Sequence, residues 1–135
     1  MVRTMNKVMR VVLVEPNEKA VIKMIDGSLE GMQQTVGGYI EAIALDDQGT
    51  CLVCNENGKI DDLPLNRALV DDDGKVTDII AGTFFVCGTD EEDFASLDDA
   101  AAQKYLKRFL LPEEVMRFGK RYVIHRYDPE EEVRV

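Results

Sequence analysis

The sequence predicts a single α+β domain built on a mostly antiparallel sheet. Three observations carry this expectation. Short β-branched, apolar runs recur with turn residues between them. Two stretches switch to helical spacing, one near the N-terminus and one near the C-terminus. Apolar residues make up 45% of the 135-residue chain, enough for one core. A β-grasp-like roll and a small, partly open barrel both fit. In either, one helix packs on a face and further helices lie at the C-terminus.

Residues 10–16 are apolar and β-branched and stop at Pro16, which reads as a buried strand. After the turn "NEK", residues 20–25 read as its hairpin partner. "DGS" then opens a helix with Ser28 as N-cap. Leu29, Met32 and Val36 share one helical face, and Gly37 sits at the left-handed C-cap. Residues 39–45 and 50–56 read as two more strands joined by "DDQG". Asn57-Gly58 has the chemistry of a type I′ turn, which predicts a return strand from Lys59 and Ile60. In "LPLNRALV", Asn66 is placed to cap a short helical turn. "TDIIAGTFFVCG" reads as one apolar strand interrupted at Gly82, where a bulge or a close backbone approach is expected. Ser96 and Asp99 have capping-box spacing, with Leu97, Ala101, Tyr105 and Phe109 on one helix face. Pro112 is placed to open a second helix ending at Gly119, followed by a strand in "RYVIHRY".

Cys51, Cys54 and Cys87 are an odd number of cysteines in a Cys-poor chain, which fits free thiols in a reducing compartment. "CLVC" is not read as a zinc or redox motif. Residues three apart on a strand point to opposite faces, and the only histidine after Cys87 is His125. No metal and no cofactor are expected. The apolar run at residues 11–14 is too short for a signal-peptide core, and no apolar run approaches the ~20 residues of a membrane helix. The expected location is cytoplasmic, with no membrane partner.

The formal net charge is -10, unevenly distributed. Residues 1–100 carry 8 Lys/Arg against 20 Asp/Glu, whereas residues 101–127 carry 7 against 2. The acidic body argues against nucleic acid as a partner, because phosphates need cations to displace their counterions. No G-x-S-x-G, H-E-x-x-H or Walker loop is present, and abundant carboxylates do not by themselves define an acid/base pair. No catalytic residue is assigned.

Three motifs, "GGYIEAI", "CNENGKIDDLPLNRAL" and "DIIAGTFFVCG", occur in this order and spacing. Together they resemble the domain-of-unknown-function family DUF3846, over roughly residues 11–109. The resemblance implies a setting in bacteria, phages and mobile elements, and implies no reaction. It divides the one domain of 1–135 into a family-like core of 8–109 and a C-terminal helix, strand and acidic tail over 110–135.

The second motif has two readings. Asn57, Gly58, Pro64 and Asn66 can serve turns alone. Asn55, Lys59 and Arg67 are not demanded by turn geometry, and cations are scarce in this part of the chain. With Asn66 and backbone donors at Gly37 and Gly38, they form a candidate site for a small anionic ligand. The helix C-terminus at Gly37 opposes an anion. The basic segment 101–127 interleaves cations with aromatics. Tyr105, Phe109, Phe118, Arg121 and Tyr122 are candidate contacts with a second copy of the chain, in a homodimer or larger. The leading expectation is thus a non-catalytic binding protein of phage or mobile-element type that sequesters a small anionic or nucleotide-derived ligand. An acidic inhibitor that imitates DNA and occupies a host enzyme is the alternative, and an enzyme the third.

Overall fold

The computed structural model describes residues 7–131. β1 (Val8–Val14) and β2 (Val21–Asp26) form the expected hairpin, with Val12 opposite Ile22. Ser28 caps α1 (Leu29–Val36), its hydroxyl accepting from the Gly31 N–H at 3.0 Å, and Gly37 closes the helix at φ 81°. Met32 and Val36 are buried, but Leu29 in the first turn faces solvent. β3 (Ile40–Ala44) pairs with β4 (Cys51–Asn55) as expected.

The strand that completes the sheet comes from much later in the chain. β7 (Phe84–Asp90) inserts between β1 and β4, giving the order β2-β1-β7-β4-β3. β8 (Asp93–Ala95) pairs with the far end of β7. Every pairing is antiparallel, and the sheet is open at β2 and β3 rather than closed into a barrel. One face of the sheet packs Val11, Val53 and Phe85 against Met32 and Val36 of α1. The opposite face packs Val12, Leu52, Phe84 and Val86 against Tyr105 and Phe109 of α2 (Asp99–Phe109). That second layer also holds a separate hairpin of β5 (Leu65–Val70) and β6 (Val76–Ala81), which contributes Leu69 and Ile80.

Several expectations are corrected. Asn57 and Gly58 do not adopt positive φ, so no type I′ turn forms; residues 56–62 coil through successive turns, with Asp62 at φ 55°. The return strand begins at Leu65, not Lys59, and Asn66 lies within it rather than capping a helical turn. "TDIIAGTFFVCG" is two strands in different sheets. Gly82, at φ 85°, turns the chain from β6 to β7, and a Cβ there would lie 2.7 Å from Leu63 Cδ1, so its close neighbour is a side chain and not the expected backbone. Asp98, not Ser96, caps α2, accepting from Ala101 N–H at 2.8 Å, while Ser96 Oγ accepts from Arg10 N–H.

The expected second C-terminal helix is a hairpin instead, of β9 (Glu113–Phe118) and β10 (Arg121–Arg126). "PEEVMRFG" is rich in helix formers, but its residues also alternate. Glu113 and Val115 turn inward while Glu114, Met116 and Phe118 face solvent, and that period of two is satisfied against β5. Pro112 does not open a helix; its carbonyl accepts from Tyr127 N–H at 3.0 Å and closes the open end of the hairpin. Among the described residues, no helix is long and apolar enough to cross a membrane.

Candidate functional site

The six residues singled out as a ligand site fall in three places. Gly37 and Gly38 both donate their N–H groups to the Gln33 carbonyl, at 2.8 and 3.0 Å, so these donors close the helix. Asn55 is buried at the end of β4. It donates to the Val36 carbonyl at 3.3 Å and accepts from Asn57 N–H at 2.8 Å. Lys59 is exposed and pairs with Asp78, 2.6 Å away. The hollow beside it is about 100 Å³ and is also lined by Glu41 and Glu56, so carboxylates outnumber the one cation.

Asn66 and Arg67 lie elsewhere, both with no exposed surface. Asn66 donates to the carbonyls of Val14 and Gly82. The Arg67 guanidinium donates to the carbonyls of Phe109 (3.1 and 3.0 Å), Glu18 (2.6 Å) and Glu15 (3.4 Å) and to Asn66 Oδ1 (2.8 Å). Burial lowers its pKa to about 10, leaving it charged at neutral pH. It latches β5 to the β1–β2 connection and to the end of α2.

Of the five interface candidates, Tyr105 and Phe109 belong to the core. The Tyr105 hydroxyl donates to Asp46 at 2.8 Å, and Phe109 meets Phe84 edge to face. Burial opposes ionisation of Asp46, but hydrogen bonds from Tyr105 and from the N–H groups of Gln48 and Thr50 outweigh it and hold the carboxyl below its ordinary range. Phe118, Arg121 and Tyr122 are exposed on the β9–β10 hairpin. The cysteines divide as the strand geometry requires. Cys51 joins the core under α1 and Cys54 the core on the opposite face, and all three thiols are free.

A larger cavity, about 410 Å³, opens between the end of α2 and the two hairpins. β5 and β6 contribute Ala68, Val70 and Val76; β10 contributes Ile124; α2 contributes Phe109. The polar lining is Arg108, Arg126 and Glu113. Glu113 is the buried member. Its Oε1 accepts from Ala68 N–H at 2.8 Å, and its Oε2 pairs with Arg126 at 3.1 Å. Arg108 lies over the Phe109 ring, 5.1 Å from its centroid, and has no ion-pair partner among the described residues. The cavity therefore presents two cations and one already engaged carboxylate over an apolar floor. The surplus of Lys and Arg in residues 101–127 was the sequence signal for this lining. Nothing in the sequence alone brought Arg108 and Arg126 beside Ala68.

Fold and site together define an open antiparallel sheet covered on both faces, with a basic, apolar-floored cavity in an acidic chain. The chain belongs to the family described as Domain of unknown function (DUF3846), whose model matches residues 9–110. Neither a curated protein nor a solved structure matches it. Glu113, Ile124 and Arg126 lie beyond the matched segment.

Proposed function

We propose that this chain is a non-catalytic binding protein for a small organic anion held between Arg108 and Arg126. The observation that carries this reading is the Arg108 guanidinium, without an ion-pair partner among the described residues, at a cavity whose one carboxylate among those residues is already neutralised by Arg126. A volume of about 410 Å³ lies within the usual range of ligand sites, roughly 300–1,000 Å³. A guanidinium offers a planar fork of donors that matches a carboxylate or phosphate. The apolar floor suits a flat, weakly polar body, so a nucleoside monophosphate or an aromatic carboxylate is the fitting class. The Lys59 hollow is less suited, because Asp78, Glu41 and Glu56 would repel the same anion.

Calorimetry with a panel of nucleoside monophosphates and aromatic carboxylates tests the reading. Binding by at least one member is expected, weakened about tenfold or more by Arg108→Glu. No binding across the panel, or binding indifferent to Arg108→Glu, rejects it.

A second reading is an acidic inhibitor that occupies a host enzyme's nucleic-acid site. It is favoured by exposed carboxylates clustered at two turns, Asp72 and Asp73 in one and Glu91 and Glu92 in the other. Capture of a nucleic-acid enzyme from host lysate, lost at high salt, would support it over the first.

A further inference from the structure

We propose that the outer face of the β9–β10 hairpin docks a second copy of this chain, face to face and about a two-fold axis. The pairing register fixes which side chains share that face. Met116 lies opposite Val123, Phe118 opposite Arg121, and Glu114 opposite His125. All six are exposed, Phe118 to 63%. The inner face carries Glu113, Val115 and Ile124 and covers the cavity, so no other element among the described residues buries the outer stripe.

The charge pattern of this face selects a second copy over other occupants. Arg121 stands at the tip beside Phe118 and Glu114 at the base beside His125, with Met116 and Val123 between the two levels. Neither Arg121 nor Glu114 has an ion-pair partner among the described residues. Four strand positions separate the two levels, roughly 13 Å, too far for them to meet within one chain. A two-fold axis lying between two such faces, across the strands, sets the tip of each over the base of the other. Arg121 of one copy then meets Glu114 of the second, and the reverse, across a lateral offset of one strand spacing, ~4.8 Å. Each copy satisfies the other at once, as a two-fold contact requires. Met116, Phe118 and Val123 supply the dehydrated centre, while the ion pairs fix orientation more than strength. One hairpin face is small, so association is expected to be weak and concentration-dependent.

Sedimentation of the full chain up to about 1 mM in low salt reads this directly. A dimer is expected that dissociates at least tenfold more readily with Arg121→Glu or with Glu114→Arg alone. Combining both changes in one chain recreates the complementary pattern with the signs exchanged, and should restore the dimer. Phe118→Asp should abolish it without lowering the melting temperature, since the side chain is exposed. A wild-type monomer at the highest concentration overturns the proposal and leaves the face to some other macromolecule. A dimer indifferent to the charge reversals, or one that the combined change does not restore, also overturns it.

Discussion

Arg67 and Phe109, 42 residues apart in sequence, are joined by two hydrogen bonds from one buried guanidinium to one carbonyl. That carbonyl belongs to the last turn of α2, where an orphan acceptor needs a donor. The same side chain also serves Glu15, Glu18 and Asn66, so it connects three separate parts of the chain.

Arg67→Lys should therefore damage folding rather than ligand binding. A single ammonium cannot span acceptors arranged for a planar fork. A loss of at least about 1–3 kcal/mol is expected, the cost of leaving a buried acceptor unsatisfied. The check is a shift in urea midpoint at unchanged slope. Unaltered stability together with altered ligand affinity would return Arg67 to the binding site.

Gly58 is buried, and a Cβ there would lie 2.6 Å from the Ala81 carbonyl oxygen. Gly119 has the left-handed φ of 59° but open space around it. Gly58→Ala should thus cost roughly 1–3 kcal/mol through overpacking. Gly119→Asn should cost only a few tenths, because asparagine tolerates that conformation. Thermal melting of the two variants side by side separates the two causes, and the reverse order would refute this assignment.

Cys51 and Cys87 face each other across β4 and β7 with sulfurs 3.7 Å apart, sharing one S–H···S contact. That contact and burial push the Cys87 thiol far up. Burial, with Glu41 and Asp78 nearby, pushes Cys54 up to about 11. The contact with Cys87 lowers the pKa of the Cys51 thiol instead, so burial is what protects it. Native protein at about pH 8 should resist alkylation at all three thiols, because all three are buried and Cys54 and Cys87 are also held protonated. Denatured protein should take up three labels by mass spectrometry. Chelator and reductant should leave the melting temperature unchanged. Rapid labelling of the native chain would contradict the burial described.

Alkaline pH should weaken the fold. Cys54 ordinarily ionises near 9.0 and Tyr105 near 10.0; in the folded chain burial raises them to about 11 and about 12, the Tyr105 hydroxyl also being held by Asp46. Both groups stay protonated in the folded chain while the unfolded chain releases its protons. Their contribution is complete below about pH 9 and is lost as pH rises towards 11–12. For Cys54 it is on the order of 2 kcal/mol. Denaturant titrations across this range should show stability falling with pH. The slope should flatten when Cys54→Ala and Tyr105→Phe are combined; an equal slope in both proteins would exclude these two groups.

Much of the first half of the fold was legible in the sequence, because its signals are local. Ser28 and Gly37 bound a helix by their own backbone chemistry, and the strands on either side are mostly apolar. The failures arise where tertiary contacts override local preference. "PEEVMRFG" satisfies a helix and a strand equally, and the partner that decides, the Ala68 N–H bonded to Glu113, lies 45 residues away. Arg67 looked free because nothing nearby pairs with it, and its acceptors are carbonyls that a sequence does not display. Arg108 and Arg126 registered only as surplus charge, since their shared cavity depends on how α2 and β10 meet.

The cavity joins two stretches of different standing. Arg108 and the β5–β6 wall fall inside the segment that matches the family, while Ile124, Arg126 and Glu113 come after residue 110. Glu113 ties this far wall to the scaffold twice, through its bond from Ala68 N–H and through its charge near the Arg67 guanidinium, whereas Ile124 only lines the cavity. Under the proposed reading, most of the wall that would meet a ligand and the sheet that carries the fold are encoded in different stretches of this polypeptide. On that reading, exchanging the hairpin while keeping Glu113 would be expected to change what the cavity accepts while the sheet and both helices persist.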